Sequence, residues 1–220
     1  MAPPLSSDPS LAAFGSSLTA ITLAELGDKT FFMALILAVR HRARWVFIGS
    51  FAALTAVTLI SLALGYGLRE LLPQSLVPWL AAVLFLSFGI KLLIDAQGMA
   101  ANAATEEKEE AEQAINTAES SKASQITAWA VIWEAFVLVF IAELGDRTQF
   151  TTIFMATAPA QVFSFGGLLA GTLLGHALVT WLAVGAGKWI GQWVNERLLY
   201  RLSGGLFLVF GLAALSQALS

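Results

Sequence analysis

The chain has 220 residues, of which 57% are hydrophobic and only 12% charged, against about 25% charged in an ordinary soluble domain. This composition is that of an integral membrane protein, and the lack of cysteine excludes disulfides, thiolate metal sites and cysteine nucleophiles. The net charge of −3 is local: six of the fifteen acids fall between Glu106 and Glu119.

The opening MAPPLSSDPS lacks the basic region of a secretory signal and reads as a disordered lead-in over 1–11. A spanning helix needs about 20 mostly apolar residues. Runs of that kind predict an all-α membrane protein of six transmembrane helices, near 12–39, 46–68, 76–95, 129–157, 162–187 and 200–219. Trp45, Trp79, Trp129, Trp133, Trp189 and Trp193 fall near the expected ends, where amphipathic aromatics anchor at the interface. The polar stretch 96–128 divides the chain; it reads as an acidic cytoplasmic loop that either extends the third helix or stays disordered.

The two sides of that loop are alike. AELGDKT at 24–30 returns as AELGDRT at 142–148, and with Glu25 set on Glu143, Gly49 falls on Gly167 without a gap. Further on, a four-residue offset aligns FLSFG (85–89) with FLVFG (207–211). The domains expected are therefore a first repeat over 12–95 and a second over 129–220. With three spans each, the copies must be inverted, an arrangement that places a transporter's site near the midplane where the repeats meet. Basic residues set the orientation. An outside N-terminus puts Arg40, Arg42, Arg44, Lys108, Lys122, Lys188, Arg197 and Arg201 in the cytoplasm and leaves Arg69 outside, so both termini are expected outside.

The repeated motif carries the chemistry. Each of its six charges costs roughly 2.5–3.5 kcal/mol at mid-span, on the order of 15–20 kcal/mol together. Intramembrane charges of this kind face a polar cavity or one another and mark an ion path. Glu25, Asp28 and Lys29 sum to −1, as do Glu143, Asp146 and Arg147, so the two motifs together balance one divalent cation. Glu25, Asp28, Glu143 and Asp146 are the expected ligands, hard oxygen donors suited to Mg²⁺, Ca²⁺ or Mn²⁺. Thr30, Thr148 and Gln149 add neutral oxygens. Lys29 and Arg147 are expected to hold Asp28, Asp146 or a neighbouring acid when the cation is away. Gly27 and Gly145 permit either a break in the helix or close helix packing. His176, alone on the fifth span, reads as a hydrogen-bonding residue between helices or a proton relay. Glu134 reads as a residue of the cytoplasmic mouth, attracting cations or solvated.

Two E-L-G-D-[KR]-T motifs, one per half, with a polar loop between, resemble a known family. It is the small cation/proton exchanger family that includes bacterial and chloroplast manganese exporters and Golgi manganese/calcium transporters. The resemblance covers about 14–219. It implies export of Mn²⁺, Ca²⁺ or both from the cytoplasm against protons, with Glu25, Gly27, Asp28, Lys29 and Thr30 as the first motif and Glu143, Gly145, Asp146, Arg147 and Thr148 as the second. The metal is cargo, so no resident cofactor is expected. The expected partners are the cation and the lipid bilayer, with a homodimer possible and no nucleic acid. A cation channel or uniporter built on the same acids is the main rival, and an exporter of small organic solutes a second. An enzyme is the weakest reading, because no nucleophile–histidine pair or HExxH helix is present.

Overall fold

In this computed structural model the described residues, 8–98, 103–119, 127–158, 163–190 and 196–219, contain helices and no strand. In chain order they are α1 (Pro9–Glu25), α2 (Lys29–Arg40), α3 (Ala43–Leu71), α4 (Val77–Gly98), α5 (Ala103–Glu119), α6 (Ala128–Glu143), α7 (Arg147–Thr157), α8 (Phe165–Ile190) and α9 (Glu196–Leu219). Lys122, Trp193 and residues 1–7 of the expected lead-in lie outside the described residues. The starts have local causes. The Asp8 carboxylate accepts from the Ser10 N–H with Pro9 in the first turn of α1, and Thr127 accepts from the Ala130 N–H at the start of α6.

Among the described residues, four helices are long and apolar enough to cross a membrane: Ala43–Leu71, Val77–Gln97, Phe165–Gly185 and Tyr200–Leu219. The pair α6 and α7 makes a fifth if taken as one span, bent by 68° at its break. The expected continuous helices over 12–39 and 129–157 are thus each divided in two, and the division falls on the repeated motif. Large apolar residues such as Leu59, Leu64, Val83, Ile90, Ile94 and Val209 point outward. A contiguous apolar exterior of that kind suits lipid rather than water. Trp79 and Trp129 are exposed near the starts of α4 and α6, as anchors should be.

The helices pack reciprocally. α1 lies along α8 while α6 lies along α3, and α4 pairs with α9. Gly49 of α3 abuts the Ile132 carbonyl and Ala135 of α6; Gly171 of α8 abuts the Phe14 carbonyl and Ser17 of α1. Ile132 stands as far before Glu143 as Phe14 does before Glu25, so Gly49 matches Gly171 rather than Gly167. The four-residue offset therefore enters between α7 and α8, earlier than the sequence comparison places it. The same offset holds to the end: Gly89 sits against Leu208, and Gly211 against Leu86. Contacts of i on j are thus mirrored by contacts of j on i.

Part of the acidic segment is packed rather than solvated. α5 is a separate helix that docks on α2, burying Ala111 and Ile115 in one cluster with Phe31, Met33 and Leu37. Arg40 donates to Asn116 Oδ1 at 2.8 Å. On α5, Lys108, Glu109 and Glu110 are exposed, and Lys108 pairs with Glu112 at 3.9 Å.

The glycine docking is testable. Gly49→Val drives a side chain into the backbone of α6, and overpacking of this kind costs about 1–3 kcal/mol. It should lower the thermal midpoint in detergent by about 2–12 °C. Gly67→Ala, on the same helix with open space around it, should leave the midpoint within about 2 °C.

Candidate cation site

Both motifs fold the same way. α1 ends at Glu25 and α2 begins at Lys29; α6 ends at Glu143 and α7 begins at Arg147. Between them Gly27 takes φ 80° and Gly145 φ 86°, a left-handed conformation that costs an L-residue roughly 1–2 kcal/mol. The Asp28 N–H donates to the Glu25 carbonyl and the Asp146 N–H to the Glu143 carbonyl, each at 3.2 Å. The glycines therefore serve a break in both halves. Each break places a helix C-terminus and a helix N-terminus at one level inside the bundle, the device by which interrupted membrane helices present polar groups to a substrate.

The breaks bring the acids together. Glu25, Asp28 and Glu143 are all buried, and one carboxylate oxygen of each lies within 4.8 Å of the others. Two oxygens held by one cation at bonds of about 2.0–2.6 Å are at most about 4–5 Å apart. The cluster therefore has the dimensions of a cation site. Thr30 Oγ1 donates to Glu25 Oε2 at 3.0 Å, and Thr148 Oγ1 to Glu143 Oε2 at 3.1 Å. Among the described residues the other oxygen of each glutamate, Oε1, has no hydrogen-bond donor. A buried carboxylate oxygen left without a partner is costly, and a cation is the partner that three converging acids suit.

Asp146 is not in this cluster. Its Oδ2 caps α7, accepting from the Thr148 N–H and Oγ1 at 3.3 Å each. Gln149 also turns to the break, its Oε1 accepting from the Gly145 N–H at 2.7 Å. Arg147 crosses to the other motif. Its Nη2 meets Asp28 Oδ1 at 3.0 Å and the Ala24 carbonyl at 3.4 Å, and its guanidinium lies 5.4 Å from the Tyr200 ring centroid. With Arg147 engaged, the three clustered acids carry a formal −2. Lys29 and Asp146 instead line an open cavity of about 320 Å³ with Lys91, Asp95 and Glu110.

Two residues outside the motifs belong to the site. Tyr200 carried no sign in the sequence beyond being an aromatic at a helix start. His176 had one, as the single imidazole of an apolar helix. Its Nδ1 stands 3.7 Å from Glu25 Oε1, beyond hydrogen-bonding distance, so the expected hydrogen bond between helices is not made to this acid. Glu134 is buried on α6, not solvated at a mouth.

Known proteins now identify the lineage. The model of the divalent cation/proton antiporter GDT1 family matches residues 13–100 and 131–220. The chain belongs to that family. It is 39% identical over 204 residues to the GDT1-like protein sll0615 of Synechocystis, covering 93% of this chain and 97% of that one. Over 216 residues it is 37% identical to GDT1-like protein 1, chloroplastic, of Oryza sativa subsp. japonica, and 38% identical to Protein PAM71, chloroplastic, of Arabidopsis thaliana. Those matches cover 93% and 94% of this chain but span only 62% and 57% of the two chloroplastic proteins. No solved structure matches the chain. The family is one of antiporters, which sets the enzyme, channel and organic-solute readings aside.

The break itself can be tested at Gly145, where a Cβ would meet nothing within 4 Å. Gly145→Ala should therefore cost only its conformational strain, about 1–2 kcal/mol of unfolding free energy. Gly145→Asn should cost less than Gly145→Ala, because asparagine visits the left-handed region more readily. Chemical denaturation of the micelle-embedded protein checks both.

Proposed function

We propose that this protein exports Mn²⁺, Ca²⁺ or both from the cytoplasm in exchange for protons, through a site built from both copies of the motif. The reading takes 12–95 and 129–220 as inverted three-helix repeats, with each broken pair α1–α2 and α6–α7 acting as one span. The segment 96–128 then lies in the cytoplasm and both termini outside. The observation that carries it is the convergence of Glu25 and Asp28 from one motif with Glu143 from the other. The reciprocal glycine contacts support the inverted repeats.

In this reading Glu25, Asp28 and Glu143 are the primary ligands, with Thr30 and Thr148 holding the glutamates in place. Asp146 and Lys29 line the approach, a cavity on the side of α5 and the start of α9. By the distribution of basic residues that side is cytoplasmic. A cation arriving there meets Asp28 already held by Arg147. Binding draws the carboxylates onto the metal, and Arg147 then rests on the Ala24 carbonyl and the Tyr200 ring. Rocking one repeat against the other exposes the site outside. Protons from that side neutralise the acids and release the cation. A bare doubly negative site is strongly disfavoured in an apolar interior, so about two protons return for each divalent ion.

Proteoliposomes provide the test. An imposed pH gradient should drive Mn²⁺ or Ca²⁺ uphill; flux that ignores the gradient would refute antiport. Glu25→Gln and Glu143→Gln should each reduce that flux by at least about a hundredfold while the protein still folds into the membrane. Normal transport by both variants would remove the site.

A further inference from the structure

The two halves of the site are not equivalent, and the difference lies in α3 and α8. Counting from the matched glycines Gly49 and Gly171, Ser50 corresponds to Thr172, Thr58 to Thr180, and Leu54 to His176. Three of these positions keep their character between repeats or nearly so. At the fourth, the first repeat has a hydrocarbon and the second an imidazole. Gly171 and Gly175 bring α8 close against Phe14, Ser17 and Ile21 of α1, and this close approach carries His176 to the end of α1, where Glu25 stands.

His176 Nδ1 and Glu25 Oε1 face each other at 3.7 Å, both side chains at or below 5% exposure. Neither atom has a hydrogen-bond partner among the described residues. Two polar atoms would close to about 2.7–3.2 Å if a hydrogen bond joined them. A separation of 3.7 Å is instead the span of two neighbouring ligands on one cation, since bonds of about 2.0–2.3 Å allow separations up to about 4–4.6 Å. Where α1, α2, α3, α6 and α8 meet, a small cavity of about 10 Å³ joins Glu25 and His176 to Thr30, Ser50 and Thr180, about enough for one water-sized occupant. Ser50 Oγ is also without a partner there.

We propose that His176 and Glu25 together form a nitrogen–oxygen station for the transported cation beside the three-acid cluster, which does not itself include His176, and that this station biases transport toward Mn²⁺ over Ca²⁺. This rests on the cation-transport reading above and adds to it a specificity-determining residue. The chemistry follows from donor type. Ca²⁺ is a hard ion that takes six to eight oxygens, whereas first-row transition ions accept imidazole nitrogen alongside carboxylate. A neutral imidazole leaves the formal −2 of the acid cluster unchanged, so it alters preference among divalent ions without altering the charge balance. Leu54, the counterpart of His176 in the first half, lines the same cavity and offers no donor atom to either ion.

Electron spin-echo modulation of Mn²⁺ bound to the full-length protein in detergent reads the ligand directly. The natural protein should show the coupling of a directly bound ¹⁴N. His176→Leu, which copies Leu54, and His176→Gln, which keeps a polar side chain, should each bind Mn²⁺ without it. In competition, the Ca²⁺ concentration that displaces half the Mn²⁺ should fall about tenfold in both variants. Bound Mn²⁺ without ¹⁴N coupling in the natural protein overturns the proposal and leaves the carboxylate site standing, as does an unchanged Mn²⁺/Ca²⁺ ratio in the variants. Binding of neither ion by the natural protein overturns both readings. If His176→Leu fails to fold, His176→Gln and the coupling in the natural protein still decide the matter.

Discussion

Carboxylates buried in an apolar interior must be compensated, and this requirement organises the molecule. Glu25, Asp28 and Glu143 are each at most 3% exposed, in a chain whose exterior is shaped for lipid. Local hydrogen bonds meet part of the need: Thr30 and Thr148 each satisfy one oxygen of a glutamate. Arg147 meets another part by crossing between motifs to Asp28. Two glutamate oxygens then remain without donors, in a cluster with a residual formal −2. A divalent cation or two protons would discharge that remainder, and alternation between the two is the essence of exchange.

The scaffold serves this cluster through its backbone. Continuous helices would place Glu25 and Asp28 on one face but leave the chain's own N–H and C=O groups locked in the helical ladder. The glycine breaks instead end a helix at each glutamate and start another beside each aspartate. Close glycine contacts then hold α3 on α6 and α8 on α1, and the acids at the ends of α1 and α6 converge. Because the four-residue offset enters between α7 and α8, the matched glycines keep the same relation to both glutamates. Within that near-symmetric frame the unequal positions are informative. Gln149 closes its own break where Phe31 stands in the first repeat, and His176 faces an acid where Leu54 stands.

Much of this was legible in the sequence, and the rest was hidden for physical reasons. Charged residues in an apolar run cost too much to be incidental, so the motifs and their charge balance could be read directly. The likeness of the two motifs could be read too, but the register of the helices that follow them could not. Gly167 and Gly171 lie one helical turn apart on α8 and both face α1, so a sequence comparison had no reason to prefer the second. The break at Gly27 and Gly145 depended on φ, which glycine leaves open in either sign. Asp146 looked equivalent to Asp28 by position, yet Asp146 caps α7 locally while Asp28 pairs with Arg147 of the other motif, a difference set by tertiary packing. The docking of α5 was obscured because Ala111 and Ile115 are a narrow apolar face in a strongly acidic segment.

The central claim is that two motifs make one site and not two. Equilibrium binding of ⁵⁴Mn²⁺ to the purified protein tests it most directly. The account predicts one ion per chain, with Glu25→Gln and Glu143→Gln each sufficient to abolish binding. Two ions per chain, or one ion retained when either glutamate is replaced, would mean that each motif binds alone, and the shared site would have to be abandoned.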